Sequence, residues 1–103
     1  MKEKTRYLKL LKDATIDTTV LDAIESLDRP RFFDPMFADR AYAMDLIPIG
    51  SGQKSDDPVV MAKMIGHLDL KKGDRVLEVG TGSGYSTAVL ASIARDVVTI
   101  EYY

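Results

Sequence analysis

The stretch that most limits what this chain can fold into is residues 75–101, which read RVLEVGTGSGYSTAVLASIARDVVTIE. A β-branched apolar run at residues 75–79 passes without a spacer into alternate glycines at Gly80, Gly82 and Gly84. This pattern predicts a buried strand that feeds a tight turn. Glycine allows positive φ and carries no Cβ atom, so such a turn lets a ligand approach the backbone closely.

Residues 85–95 are mostly small and apolar, and they predict a helix whose N-terminal amides point into the turn. Residues 97–100 predict a second buried strand, which ends on Glu101. Strand, glycine turn, helix, strand and acid in this order predict the first half of a Rossmann-like nucleotide site at the carboxyl ends of parallel strands.

The side chains around the turn indicate which nucleotide it would accept. Tyr85 stands where the dinucleotide fingerprint requires a third glycine, which weakens the case for a pyrophosphate ligand. Glu101 lies near the offset of a ribose-binding acid, which dehydrogenases and methyltransferases share. Glu78 would repel a pyrophosphate but attract S-adenosylmethionine, whose sulfonium and amino group are cationic. A strand-to-helix turn that binds no ligand is the alternative.

Composition sets the remaining limits. The chain has 103 residues, 46% hydrophobic and 29% charged, which is typical of one soluble globular domain. A net charge of -2 gives no reason to expect a nucleic-acid partner. The absence of cysteine excludes disulfides and thiolate chemistry and fits a cytoplasmic location. No signal-peptide core and no membrane-length apolar run is present, so no membrane partner is expected.

Helical patterns flank an irregular middle segment. Residues 3–14 predict an amphipathic helix, Asp17 can cap a second helix, and Pro58 opens a third, whose predicted buried stripe is Met61, Met64, Ile65 and Leu68. Residues 28–57 lose this periodicity, and long irregular segments in compact domains are commonly functional. We expect residues 1–57 to form N-terminal helices with a covering loop, and residues 58–103 to form a helix followed by the βαβ unit. The lone histidine, His67, receives no catalytic role, and no metal site is predicted.

The sequence resembles the protein-L-isoaspartate O-methyltransferases, a class I S-adenosylmethionine-dependent family, from about residue 20 to the last residue. The segments that carry the resemblance are DRPRFF at 28–33, AY at 41–42 with Asp45, LIPIGSGQ at 46–53, VLEVGTGSGY at 76–85, AVLA at 88–91 and TIE at 99–101. The resemblance implies transfer of a methyl group from S-adenosylmethionine to the α-carboxyl of L-isoaspartyl residues in damaged proteins. S-adenosylhomocysteine would be the product.

The resemblance also implies a set of site residues. The glycine turn would line the methionine part of the donor, Glu78 would lie beside it, and Glu101 would bind the ribose. The loop at residues 51–58 would close over both substrates, with Ser55 and Asp56 at the acceptor. The residues of the turn are Gly80, Thr81, Gly82, Ser83, Gly84 and Tyr85.

Asp56 is the first departure from the family pattern, because it occupies the position of the family's active-site serine. An ionised aspartate repels a carboxylate by roughly 4 kcal/mol at about 4 Å and an effective dielectric of about 20. Lys54 or Ser55 can compensate this charge. Alternatively Asp56 caps the following helix, and the chain acts on a neutral or cationic acceptor.

Length is the second departure, because the family fold is a seven-stranded, mostly parallel sheet and this chain stops just after the second core strand. The predicted fold class is α/β: the N-terminal part of a Rossmann-like methyltransferase fold with an incomplete sheet. We expect the amino-terminal portion of a longer enzyme with impaired activity, or self-association through open sheet edges. A non-catalytic module that binds S-adenosylmethionine or a protein partner is the second hypothesis. A dehydrogenase fragment is the third, and Tyr85 and Glu78 oppose it.

Overall fold

The computed structural model describes residues 2–102, and its elements follow the predicted order. The helices are α1 (Lys2–Asp13), α2 (Thr18–Glu25), α3 (Pro58–His67) and α4 (Tyr85–Ala91). The strands are β1 (Pro48–Gly50), β2 (Gln53–Lys54), β3 (Arg75–Val79) and β4 (Asp96–Ile100). Two 3-10 helices, Arg29–Phe32 and Pro35–Arg40, lie between α2 and β1. None of the helices described combines the length and the apolar character that a bilayer span requires.

Strands β3 and β4 pair in parallel and in register, from Arg75 opposite Asp96 to Val79 opposite Ile100. The crossover between them is α4, which ends at Ala91, so the predicted helix over residues 85–95 is too long. The βαβ unit and its two-stranded sheet confirm the predicted α/β class with an incomplete sheet.

One hydrophobic core joins the N-terminal helices to the βαβ unit. Side chains from α1, α2, the segment before β1, and α4 are completely or almost completely buried: Tyr7, Leu11, Ile24, Ile47 and Val89. Val76 and Val97 pack against this cluster from the strands. The helices therefore cover one face of the β3–β4 sheet and fix the position of its carboxyl end.

The opposite face of this sheet is open. Leu77, Val79, Val98 and Ile100 are 52 to 77% exposed, so the prediction that both strands are buried is wrong for this face. Burial alternates along each strand because successive side chains point to opposite sides of the sheet. Nothing in residues 2–102 covers the side that carries these four residues. Parallel sheets in proteins are normally covered on both faces.

Helix α3 begins with a well-formed cap. The Asp57 carboxylate accepts hydrogen bonds from the amides of Val59 (2.9 Å) and Val60 (3.1 Å). Asp57 is therefore the N-cap, and the alternative that Asp56 caps this helix is wrong. Met61 and Ile65 are buried as predicted, whereas Met64 and Leu68 are exposed, because only one side of α3 faces the core.

Asp57→Ala is expected to lower the free energy of unfolding by about 1 kcal/mol, the usual cost of losing an N-cap. Asp56→Ala is the matched control, since Asp56 caps nothing, and its effect should stay within about 0.5 kcal/mol. Urea unfolding of both variants measures the difference. Equal losses for the two would contradict the assignment of the cap.

A short hairpin replaces part of the predicted irregular segment. Strands β1 and β2 are antiparallel and are joined through Ser51 and Gly52, both at positive φ (52° and 71°). This is the conformation of the two-residue turns that best match strand twist, and the Ser-Gly pair is their sequence signal. The hairpin places Ile49 beside the glycine turn. A Cβ atom built on Gly82 would lie 3.6 Å from the Cδ1 atom of Ile49.

Candidate functional site

The glycine turn follows β3 directly, and each of its glycines has positive φ (94°, 57° and 88° for Gly80, Gly82 and Gly84). Their amides are used within the protein: Gly80 donates to the Ile100 carbonyl (2.7 Å), Gly84 to the Thr81 carbonyl (3.0 Å) and Gly82 to a Glu101 carboxylate oxygen (2.7 Å). These three glycine amides are therefore already bonded within the protein. What the turn offers is space, since a Cβ atom at Gly80 or Gly84 would meet nothing within 4 Å.

Glu101 faces the turn, as predicted. Its Oε1 atom accepts the Gly82 amide, and its Oε2 atom accepts the Tyr102 amide (2.9 Å). These bonds hold the carboxylate across the carboxyl ends of β3 and β4.

Glu78 lies at the centre of a hydroxyl network. Its carboxylate accepts hydrogen bonds from Ser86 (2.7 Å), Thr87 and Thr99 (2.8 Å), and Thr99 in turn contacts the Thr81 hydroxyl (2.7 Å). These bonds join β3, β4, the turn and the first turn of α4. Glu78 thus fixes the shape of the turn, and its predicted contact with a ligand stays a prediction.

A small cavity of about 40 Å³ lies where the hairpin loop meets the glycine turn. It brings together Ser55 and Asp56 from the loop with residues of the turn: Thr81, Gly82, Ser83 and Tyr85. The resemblance implied this meeting. Glu78, Gly80, Gly84 and Glu101 lie outside its walls. A cavity of about 510 Å³ elsewhere, beside α2 and residues 70–72, contains none of the predicted site residues.

Ser55 and Asp56 differ in how they are held. Ser55 pairs with Ile47 twice, through its amide to the Ile47 carbonyl and through the Ile47 amide to its Oγ atom, both at 2.8 Å. Its hydroxyl hydrogen makes no bond within residues 2–102. Asp56 is exposed and forms no ion pair or hydrogen bond in the described part of the chain.

Arg29 also lines this cavity, although it is not among the site residues predicted from the sequence. It is only 3% exposed, and its Nε atom donates to the Ala41 carbonyl (2.6 Å). Its guanidinium carbon lies over three aromatic rings, those of Tyr85 (4.5 Å), Phe33 (4.9 Å) and Tyr7 (5.5 Å). The sequence analysis used Arg29 only as part of the segment DRPRFF, because two of the three rings lie far away along the chain.

The tyrosines of this cluster carry buried hydroxyls. Neither the Tyr7 nor the Tyr85 hydroxyl forms a hydrogen bond of good geometry within residues 2–102, although the Tyr85 hydroxyl lies near that of Tyr7 and near the Arg29 guanidinium. Burial is the main cause that raises the pKa of Tyr7 and, more strongly, of Tyr85, and the nearby Arg29 charge opposes the shift in each. Both rings are therefore neutral at pH 7.

Tyr85→Phe is expected to make the protein less sensitive to alkali. Because the folded pKa of Tyr85 is raised above its unfolded value of about 10, its contribution to stability is complete below about pH 10 and is lost as the pH rises further. At pH 7 the change should be small, since the Tyr85 hydroxyl forms no hydrogen bond of good geometry. Urea unfolding at pH 7 and above pH 10 measures the free energy of unfolding under each condition. Tyr102→Phe is the control, because Tyr102 is 92% exposed in the wild type. Equal alkaline losses in wild type and Tyr85→Phe would contradict the prediction.

A parallel βαβ unit, a three-glycine turn and an acid after the second strand define a Rossmann-like α/β protein. The family model described as Protein-L-isoaspartate(D-aspartate) O-methyltransferase (PCMT) matches residues 2–103, and the chain belongs to this family. The match extends the resemblance through the N-terminal helices.

Three curated relatives and one solved structure illustrate the likeness. Protein-L-isoaspartate O-methyltransferases from Rhodospirillum centenum, Anaeromyxobacter dehalogenans 2CP-C and Rhodopseudomonas palustris BisB5 are 50, 53 and 44% identical over 95, 82 and 93% of this chain. The chain spans only 45, 41 and 44% of their lengths. A solved protein-L-isoaspartate O-methyltransferase superimposes with a TM-score of 0.79 at 27% identity, over 100% of this chain and 34% of its own.

Proposed function

We propose that this chain carries the donor turn and the acceptor loop of an S-adenosylmethionine-dependent methyltransferase that modifies the α-carboxyl of L-isoaspartyl residues in proteins. The observation that supports this most is the shared cavity, in which the loop residues Ser55 and Asp56 meet the glycine turn. In this proposal residues 58–103 hold the donor, and residues 1–57 cover it and receive the acceptor. The cysteine-free composition supports a cytoplasmic location.

The donor's chemistry fits the residues at the turn. S-adenosylmethionine supplies an electrophilic methyl group when bound. The open space beside Gly80 and Gly84 would admit its methionine part, and Glu101 would accept the ribose hydroxyls. The two carboxylates, Glu78 and Glu101, give the region a negative potential that favours a cationic donor and disfavours a pyrophosphate.

The acceptor's chemistry requires little acid–base catalysis from the chain. An ionised α-carboxylate is already a nucleophile, so the protein's task is to hold it in line with the methyl group. The Ser55 hydroxyl hydrogen is available for this purpose, because Ser55 binds Ile47 through its oxygen and its amide only.

Asp56→Ser is expected to strengthen binding of an isoaspartyl peptide by about fivefold. Asp56 is exposed, so its repulsion of a carboxylate about 4 Å away is close to the value in water, about 1 kcal/mol, and not the roughly 4 kcal/mol at an effective dielectric of about 20. Calorimetric titration with the peptide in the presence of S-adenosylhomocysteine measures the affinity. Methyl incorporation from labelled S-adenosylmethionine tests the activity itself.

Asp13→Ser is a matched control, because Asp13 is an exposed acid at the end of α1, away from the cavity. This variant should leave the peptide affinity and the methyl incorporation unchanged. Transfer to the isoaspartyl peptide but not to the ordinary aspartyl peptide is the expected specificity. Failure of the wild type and of Asp56→Ser both to bind the peptide and to transfer a methyl group would refute the proposed function.

A non-catalytic module is the second candidate, and the acid at the family's serine position favours it. Such a module would bind S-adenosylhomocysteine with no methyl incorporation in wild type or Asp56→Ser. The open sheet face would then serve as its contact with a second copy of the chain.

A further inference from the structure

Arg29 is a buried cation without a buried anion to match it. Within residues 2–102 no Asp or Glu carboxylate lies within 4.0 Å of its side chain, and every ion pair found involves other residues. A buried charge is costly unless it is paired, and the aromatic rings around Arg29 offset only part of that cost. The arrangement is that of a site prepared for an anion.

The guanidinium also has hydrogen-bond donors to spare. It carries five N–H groups, and only Nε–H is bonded, to the Ala41 carbonyl. Its two terminal nitrogens form no hydrogen bond of good geometry within residues 2–102, although the Tyr85 hydroxyl lies near the guanidinium. The rings of Tyr85 and Phe33 pack against the buried guanidinium, so little side-chain entropy would be lost when it binds an anion.

The cavity gives an anion access to Arg29. The same wall contains Ser55, whose hydroxyl can donate a hydrogen bond, and Asp56, whose charge a bound carboxylate must tolerate. A volume of about 40 Å³ suits one small group rather than a whole ligand. A planar carboxylate matches the forked donors of arginine.

We propose that Arg29 binds the α-carboxylate of the methyl acceptor and offsets the negative charge of Asp56. The identity of this anion rests on the proposed function, whereas the anion site itself does not. Arg29 forms no bond with the methyl group. It orients the carboxylate, and its positive charge takes the place that Lys54, which is exposed, was expected to fill.

Nitrogen-15 labelling of the arginines in the wild-type chain allows the test without any substitution. Sodium acetate is the simple anion probe. An isoaspartyl peptide and the same peptide with its α-carboxyl converted to an amide are the specific probes, each added with S-adenosylhomocysteine. We expect the Arg29 side-chain signals to shift with acetate and with the isoaspartyl peptide, and the amide to bind about tenfold more weakly.

Arg29→Gln should lose this binding, and Arg31→Gln, at an exposed neighbouring arginine, should retain it. If Arg29→Gln does not fold, as thermal melting would show, the wild-type signals decide alone. Unmoved Arg29 signals with either acid probe, or equal affinity for acid and amide, would overturn the proposal. If S-adenosylhomocysteine binds but the Arg29 signals do not move with either acid probe, the anion site at Arg29 is refuted and the proposed function is not. Acetate binding at Arg29 without S-adenosylhomocysteine binding refutes the proposed function alone.

Discussion

Glu101→Ala is expected to weaken binding of S-adenosylhomocysteine by about ten- to a hundredfold. The substitution removes the carboxylate that holds the Gly82 amide at 2.7 Å and that would accept the ribose hydroxyls. Hydrogen bonds to a charged group contribute about 1.5–3 kcal/mol each, which corresponds to this range. Calorimetric titration of wild type and variant with S-adenosylhomocysteine measures the loss directly.

Two further variants separate the ligand's contacts from a general effect of charge. Glu25→Ala removes an exposed acid at the end of α2 and should leave the affinity unchanged. Glu101→Gln keeps an acceptor but not the charge, and it should fall between wild type and alanine. If Glu101→Ala binds as tightly as wild type, Glu101 has no part in the donor site.

The second large effect concerns the open sheet face. Leu77→Lys combined with Val98→Lys is expected to convert a self-associating chain into a monomer. These residues are direct neighbours across β3 and β4 and belong to an apolar patch whose four members are 52 to 77% exposed. Burying one such side chain stabilises by about 1.5–3 kcal/mol, so two copies that cover the patch gain several times this amount. Sedimentation velocity over a range of concentrations reports the association.

Met36→Lys is the matched control, since Met36 is 73% exposed but lies outside the sheet. It should leave the association unchanged. A wild-type chain that sediments as a monomer at all concentrations would show that the open face does not self-associate.

Local patterns in the sequence predict the backbone around the glycine turn well. The β-branched run before Gly80 and the acid after Ile100 mark where β3 and β4 end, and the alternate glycines mark the turn between β3 and α4. Each of these signals acts over a few residues, through backbone sterics or strand propensity. The same holds for the cap at Asp17, whose carboxylate accepts the Thr19 amide (2.9 Å).

Contacts between distant parts of the chain are not visible in such patterns. The aromatic rings around Arg29 come partly from α1 and α4, and no local pattern in the sequence joins residue 7 to residues 29 and 85. Likewise an apolar strand residue reads the same whether a second layer covers it or not, so the exposure of Val79 could not be foreseen. The amide of Gly82 is satisfied by a side chain nineteen positions later, which is again a tertiary contact.

Nitrogen-15 spectra of the wild-type chain titrated with S-adenosylhomocysteine test most directly whether the glycine turn receives the methyl donor. The predicted result is a saturable shift of the Gly80, Gly82 and Gly84 amide signals, which needs about ten- to a hundredfold more ligand in Glu101→Ala and is unchanged in Glu25→Ala. Saturable binding that leaves these three signals in place, or no binding at all, would contradict it.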